Sequence, residues 1–207
     1  PHHTYGFSIS YDESNIKYIK NVNWSLGGNY EGISIDPSNN NVTTIHISKT
    51  ARNGFVLCAD YTGVTYQDEE ISIHAEKDVK VANGMEIIPL NEDKQHAYIG
   101  ESYLMQVQVK VYDANGSESK LRICDNVNKT DLSEFSISGN LGGTAKLSSD
   151  KKNWDYYPAD NLKDYGSEET ATATLQRIPD VIFSNKNNAL FVETIKFTLT
   201  EPSFSSN

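Results

Sequence analysis

Gly54-Phe55-Val56-Leu57-Cys58-Ala59-Asp60-Tyr61 is the stretch that decides the fold class. Its apolar side chains, Phe55, Leu57, Ala59 and Tyr61, fall at every second position. An extended chain sends successive side chains to opposite faces, so this period puts one face on a core and the other in water. The same alternation runs through Thr4–Tyr11 (Tyr5, Phe7, Ile9, Tyr11) and through Ile71, Ile73 and Ala75. It recurs at Met105, Val107, Val109 and Val111, and again at Phe191, Ile195, Phe197 and Leu199. One-sided alternation marks antiparallel sheets rather than buried parallel ones. No segment carries a helical stripe, and Ala159–Asp164 is the one place where a helical turn is expected. Turn chemistry separates the runs: Asp36-Pro37-Ser38-Asn39-Asn40-Asn41 reads as a loop, and Asn115-Gly116 as a hairpin turn. The expected fold is all-β, built of antiparallel β-sandwiches in tandem.

A charged run, Glu76-Lys77-Asp78, followed by Asn83-Gly84 suggests a break. The expected domains are therefore 1–78 and 84–207. The second is the longer, and its surplus falls in Ser148–Thr170, a polar, Tyr-rich segment read as a long loop.

Charge narrows the range of partners. The chain has 28 acidic against 18 basic residues, a net charge of −10. Binding to phosphate backbones or anionic lipid needs clustered Lys and Arg, and no such cluster is present. Nucleic acid and membrane insertion are therefore not expected, and no apolar run reaches the roughly 18 residues of a membrane span. The charge suits solubility and keeps strand edges apart. The sequence opens at Pro1 rather than Met, as a processed product or fragment would. Cys58 and Cys124 fall in different expected domains, so both are read as small buried thiols rather than an inter-sheet disulfide.

Asn21-Val22-Asn23-Trp24-Ser25-Leu26 resembles the "V-x-W-S" stretch of bacterial immunoglobulin-like domains of the group 2 type. Gly32-Ile33-Ser34-Ile35, Thr43-Thr44-Ile45-His46-Ile47, Gly54–Tyr61 and Glu70-Ile71-Ser72-Ile73 follow in that family's order and spacing. Glu86-Ile87-Ile88-Pro89 and Leu104–Asp113 repeat the idiom, and after Leu121 the match fades. The resemblance implies Greek-key sandwiches with Trp24 packed between sheets. Such modules are spacers of bacterial surface proteins and decorations of phage virions, which implies protein subunits as partners and a virion or cell-surface location. By the family's pattern Thr4–Tyr11 is the second strand, leaving the first apparently missing. A fragment boundary or a strand donated by another chain would account for that.

Chemistry-bearing residues are few. No nucleophile motif occurs, and no catalytic residue is expected. Trp154, Tyr156, Tyr157 and Tyr165 are the candidate ligand-binding residues. Aromatic rings flanked by Asp and Asn can stack on sugars, giving a carbohydrate-binding or adhesive module as the alternative function. Equally, Trp154 and one Tyr could tuck into the core and anchor the loop. His46 and His74 are placed on solvent faces, where a carboxylate across a strand pair could complete a zinc site, but no metal site is assigned. Asp12-Glu13, Asp60 and Asp68-Glu69-Glu70 are hard oxygen ligands for Ca²⁺ without a regular loop spacing. No cofactor is assigned.

Overall fold

The computed structural model describes residues 2–126, 135–160, 165–178, 180–184 and 191–201. Within them the chain is strand after strand: β1 (His2–Ser8), β2 (Ile16–Leu26), β3 (Ile33–Ile35), β4 (Val42–Ser48), β5 (Phe55–Thr65), β6 (Glu70–Pro89), β7 (His96–Tyr98) and β8 (Tyr103–Tyr112), then β9 (Glu118–Arg122), β10 (Phe135–Gly139), β11 (Thr144–Leu147), β12 (Trp154–Tyr157), β13 (Glu168–Leu175), β14 (Val181–Phe183) and β15 (Phe191–Thr200). One 3-10 turn, Ile123–Asn126, is the sole helical element among the described residues. No helix there is long and apolar enough to cross a membrane. The helical turn expected at Ala159–Asp164 falls largely on 161–164, outside the described residues.

Two compact units divide the chain. The first comprises Pro1–Asn83, Val111–Ser119 and Asp180–Asn185. The second comprises Gly84–Lys110, Lys120–Pro179 and Lys186–Asn207. The expected ranges, 1–78 and 84–207, were contiguous, whereas two later segments belong here with the first unit. Backbone hydrogen bonding draws them in. The Gly54 N–H donates to the Asp113 carbonyl at 2.7 Å, and β14 adds in parallel to β6 at Lys80–Ala82.

The first unit is a two-sheet sandwich. One sheet has the order β1-β4-β3, with β1 zipped to β4 from His2↔Ser48 to Ser8↔Val42. The other sets β2 and β6 on either side of β5. Ile33, Ile45 and Ile47 from the first sheet meet Phe55, Leu57, Val79 and Val81 from the second in one apolar cluster. Phe7 packs edge-on to Phe55, with ring centroids 6.2 Å apart. Trp24 is half-buried rather than fully enclosed: its ring packs on this cluster and on a smaller one of Val22, Ala59 and Tyr61. Its indole N–H donates to the Asn40 carbonyl at 2.8 Å. An indole needs a partner for its N–H, and a position at the core margin provides one.

β6 runs unbroken for 20 residues through the expected break at Glu76–Gly84. Leu57↔Lys77 and Val56↔Asp78 are ladder pairs, so backbone pairing keeps the charged run extended while its side chains stay in water. Gly84, at φ +116°, holds a conformation that side chains rarely adopt.

In the second unit the strand order is β8-β12-β11-β10-β13-β15-β7. All these pairs are antiparallel except β15–β7, which is parallel. β8 and β15 are five strand spacings apart, about 24 Å in a flat sheet at about 4.8 Å per strand. Yet Tyr103 of β8 stacks on Phe197 of β15 with centroids 5.1 Å apart. The sheet therefore folds over on itself and encloses Met105, Phe135, Ile137, Ala171, Ala173, Leu175 and Leu199, all buried. Both units bear out the all-β sandwich expectation. Cys58 and Cys124 are buried and form no disulfide.

Candidate functional site

The candidate aromatic residues do not make one surface. Trp154-Asp155-Tyr156-Tyr157, read as part of a loop, is strand β12, paired to β11 from Leu147↔Trp154 to Thr144↔Tyr157 and to β8 at Trp154↔Met105. The period of two then sends Trp154 and Tyr156 inward, at 6% and 0% exposure, and Tyr157 outward, at 41%. Trp154 packs on Phe135, with centroids 4.8 Å apart, and Tyr156 meets Phe197 edge-on at 5.3 Å. Tyr157 lies under the Lys146 ammonium, 5.6 Å from its ring centroid. Tyr165 is half-buried.

Around Tyr156 sits a buried polar knot. Glu169 is fully buried. Its carboxylate accepts from the Gly143 N–H at 2.9 Å and the Ala159 N–H at 3.2 Å. Burial, and then the Glu169 charge, push the Tyr156 phenol well above its ordinary range. The Tyr156 hydroxyl faces the Glu169 carboxylate, and the Trp154 indole N–H is buried without a hydrogen-bond partner among the described residues. Gly139 and Gly143 close over this knot. A Cβ on either would come within 2.0 Å of the Tyr156 hydroxyl oxygen. Such a group is sealed from substrate and holds β10, β12 and β13 in place.

The reactive side chains gather instead on the outer face of the first unit. Cys58↔Glu76 and Asp60↔His74 are consecutive same-face pairs of the β5–β6 ladder. Asn23 and Ser25 of β2 stand opposite Asp60 and Cys58. His74 is gripped at both ring nitrogens: Nδ1 lies 2.6 Å from Asp60 Oδ1 and Nε2 lies 3.0 Å from Glu76 Oε1. The two carboxylates, Glu76 first and then Asp60, hold the imidazole above its ordinary pKa. The Cys58 Sγ sits 4.0 Å from the same Glu76 oxygen. Its thiol is held above the usual range by burial, with the Glu76 and Asp60 charges adding to the effect. Beside this group a shallow concavity of about 290 Å³ is lined by Asn21, Asn23, Thr62 and Ser72 together with Asp60 and His74.

Sequence reasoning put His74 on the solvent face and allowed a carboxylate partner, but did not identify the partner residues. The signal lay in two same-parity pairs, Cys58-x-Asp60 and His74-x-Glu76, on adjacent strands. Only the register brings them together. Of the other acids considered for Ca²⁺, Asp12, Asp68 and Glu70 have partners of their own. Asp12 accepts from Ser14 and Asn15, and the Ser14 hydroxyl contributes most to holding its carboxyl below the usual range. Asp68 pairs with Lys17 at 3.2 Å and Glu70 with Lys20. His46 pairs with Asp36 at 2.9 Å.

No family model matches the chain, and no curated protein matches it. Among solved structures it is similar to a protocadherin gammaB7 EC3-6 cis-dimer structure, at 14% identity over 89% of this chain, with a TM-score of 0.32. It is also similar to the endo-fucoidan hydrolase MfFcnA4 from glycoside hydrolase family 107, at 10% identity over 98% of this chain, with a TM-score of 0.23. The chain spans 40% of the first of these and 27% of the second. Likenesses this distant carry no functional argument.

Proposed function

We propose that the chain is a non-enzymatic structural or assembly module of the immunoglobulin-like kind found in phage virions and bacterial surface filaments and adhesins, acting through contacts with other protein subunits. One observation carries the reading: the aromatic residues best suited to recognition serve the core. A sugar platform needs two or more rings exposed on one side. Trp154 and Tyr156 are buried, which leaves Tyr157 as the exposed ring of β12. Stability of the second unit is the use these side chains support. The chain carries a net charge of −10, suited to a module that stays soluble until it meets its neighbour.

A glycan array probed with the full chain tests the proposal. The expected result is no reproducible binding. Binding that is lost in Tyr157→Ala, with far-ultraviolet circular dichroism unchanged, would replace the structural reading with the carbohydrate-binding one.

A further inference from the structure

From the β5–β6 face of the first unit we infer a zinc site formed by Cys58 Sγ, His74 Nε2 and Glu76 Oε1, with Asp60 orienting the histidine from behind. The three ligand atoms all lie within 4.8 Å of one another. The Nε2–Oε1 separation is 3.0 Å and the Sγ–Oε1 separation 4.0 Å. Tetrahedral zinc, with Zn–S about 2.3 Å and Zn–N about 2.0 Å, needs its ligand atoms roughly 3.3–3.7 Å apart. Small side-chain rotations close that gap, and His74 and Glu76, 53% and 61% exposed, have room for them.

The arrangement around the imidazole points to a cation. Both ring nitrogens face carboxylate oxygens, which only accept. A neutral ring carries one N–H. With that proton on Nδ1, donated to Asp60, the Nε2 lone pair would face the Glu76 lone pairs. The contact is favourable with a second proton on the ring or with a metal ion in its place. Asp60 on Nδ1 supplies the carboxylate–histidine pairing that fixes tautomer and ring orientation at metal sites. A soft thiolate, an imidazole and one carboxylate select zinc over magnesium or calcium, which require oxygen ligands. On binding, the Cys58 S–H and His74 Nε2–H bonds break, both protons leave to water, and the freed sulfur and nitrogen lone pairs form the bonds to the metal. Two anionic ligands then balance the +2 charge, and Asp60 remains as the outer acceptor. A fourth position opens to solvent on this face, where water or a ligand from another molecule can complete the shell.

Cobalt(II) is the probe, because a bound thiolate gives it a charge-transfer absorption that nitrogen and oxygen ligands do not. The metal-free chain titrated with Co²⁺ should develop this band at one equivalent and lose it when Zn²⁺ is added. Cys58→Ser should abolish the band, and Cys124→Ser should leave it intact. His74→Ala and Glu76→Gln should weaken Co²⁺ binding by about tenfold or more, and Asp60→Asn by about 10–100-fold. Cys58, Asp60, His74 and Glu76 share the outer face of the β5–β6 ladder, and circular dichroism of every variant, Cys124→Ser included, checks that the fold persists. Absence of the band in the parent protein would overturn the site. So would a band that survives Cys58→Ser, or affinity unchanged in His74→Ala, as binding at the terminal His2-His3 pair would give.

Discussion

Trp24 stands across from Ala59 on the inner face of its sheet, and the extra residue in its strand puts it there. Lys20 pairs with Thr62 but Asn23 with Asp60, so three steps along β2 match two along β5. This is a β-bulge, and Asn21 within it takes φ 53°, a left-handed conformation that Asn tolerates better than most residues. In an unbroken register from Lys20↔Thr62, with no bulge, Trp24 would fall opposite Cys58, on the face of the His74 cluster. A one-residue slip exchanges the two faces of a strand.

Asn21 is therefore a position where backbone conformation, not side-chain contact, sets stability. Asn21→Gly should be tolerated. Asn21→Val, whose branched Cβ resists left-handed φ, should cost about 1–2 kcal/mol. Urea denaturation followed by far-ultraviolet circular dichroism measures both, and an unchanged midpoint for Asn21→Val would argue against the bulge.

Gly139 and Gly143 should be intolerant for a different reason. A Cβ on Gly139 would sit 2.0 Å from the Tyr156 hydroxyl and 2.1 Å from Glu169 Oε1. Overpacking of this kind typically costs about 1–3 kcal/mol. Gly139→Ala and Gly143→Ala should each lower the melting temperature, and Tyr156→Phe in the same chain should recover part of the loss. Gly6→Ala, where a Cβ would meet nothing within 4 Å, is the control. Equal melting temperatures for all three alanine variants would contradict the packing described.

Asp150 predicts an acid dependence. Its carboxylate accepts from the Ser148 hydroxyl, from the Lys152 and Asn153 N–H groups and from the Asn153 side chain. These donors, the Ser148 hydroxyl foremost, bring its pKa down to about 2, against about 3.9 in an unfolded chain. A depressed carboxyl contributes stability that is complete above the unfolded value and is lost as pH falls toward the folded one. Melting temperatures of the parent and Asp150→Asn should therefore differ at pH 6 and converge as pH falls from about 4 to about 2. A gap independent of pH over that window would show that ionisation of Asp150 does not contribute.

Much of this architecture is legible in the alternation. Phe55, Leu57, Ala59 and Tyr61 reveal β5 outright, and Met105 through Val111 reveal β8, because an apolar side chain at every second position lines the core. Trp24 shows where that logic strains. Ile19 and Trp24 differ in parity, which signals a bulge, but parity alone does not say which residue is extra. Trp154–Tyr157 was hidden because a four-residue strand amid Asp, Asn and Lys has too few periods to stand out. β14 and the 111–119 segment join the first unit through backbone hydrogen bonds, which leave no mark on side-chain pattern. The Cys58–His74–Glu76 cluster depends on register between strands, and register is set by the whole ladder rather than by either segment.

The proposed function rests on the β12 aromatics serving the core, and Trp154 is the residue through which to test that. Equilibrium urea denaturation of the full chain should show Trp154→Ala losing about 3–5 kcal/mol, as removal of a buried indole does. Trp154→Phe should lose less, since it keeps a ring against Phe135 and removes a buried N–H that has no partner. A Trp154→Ala chain with the parent's midpoint and slope would contradict the account, because it would mean the indole is not part of the core.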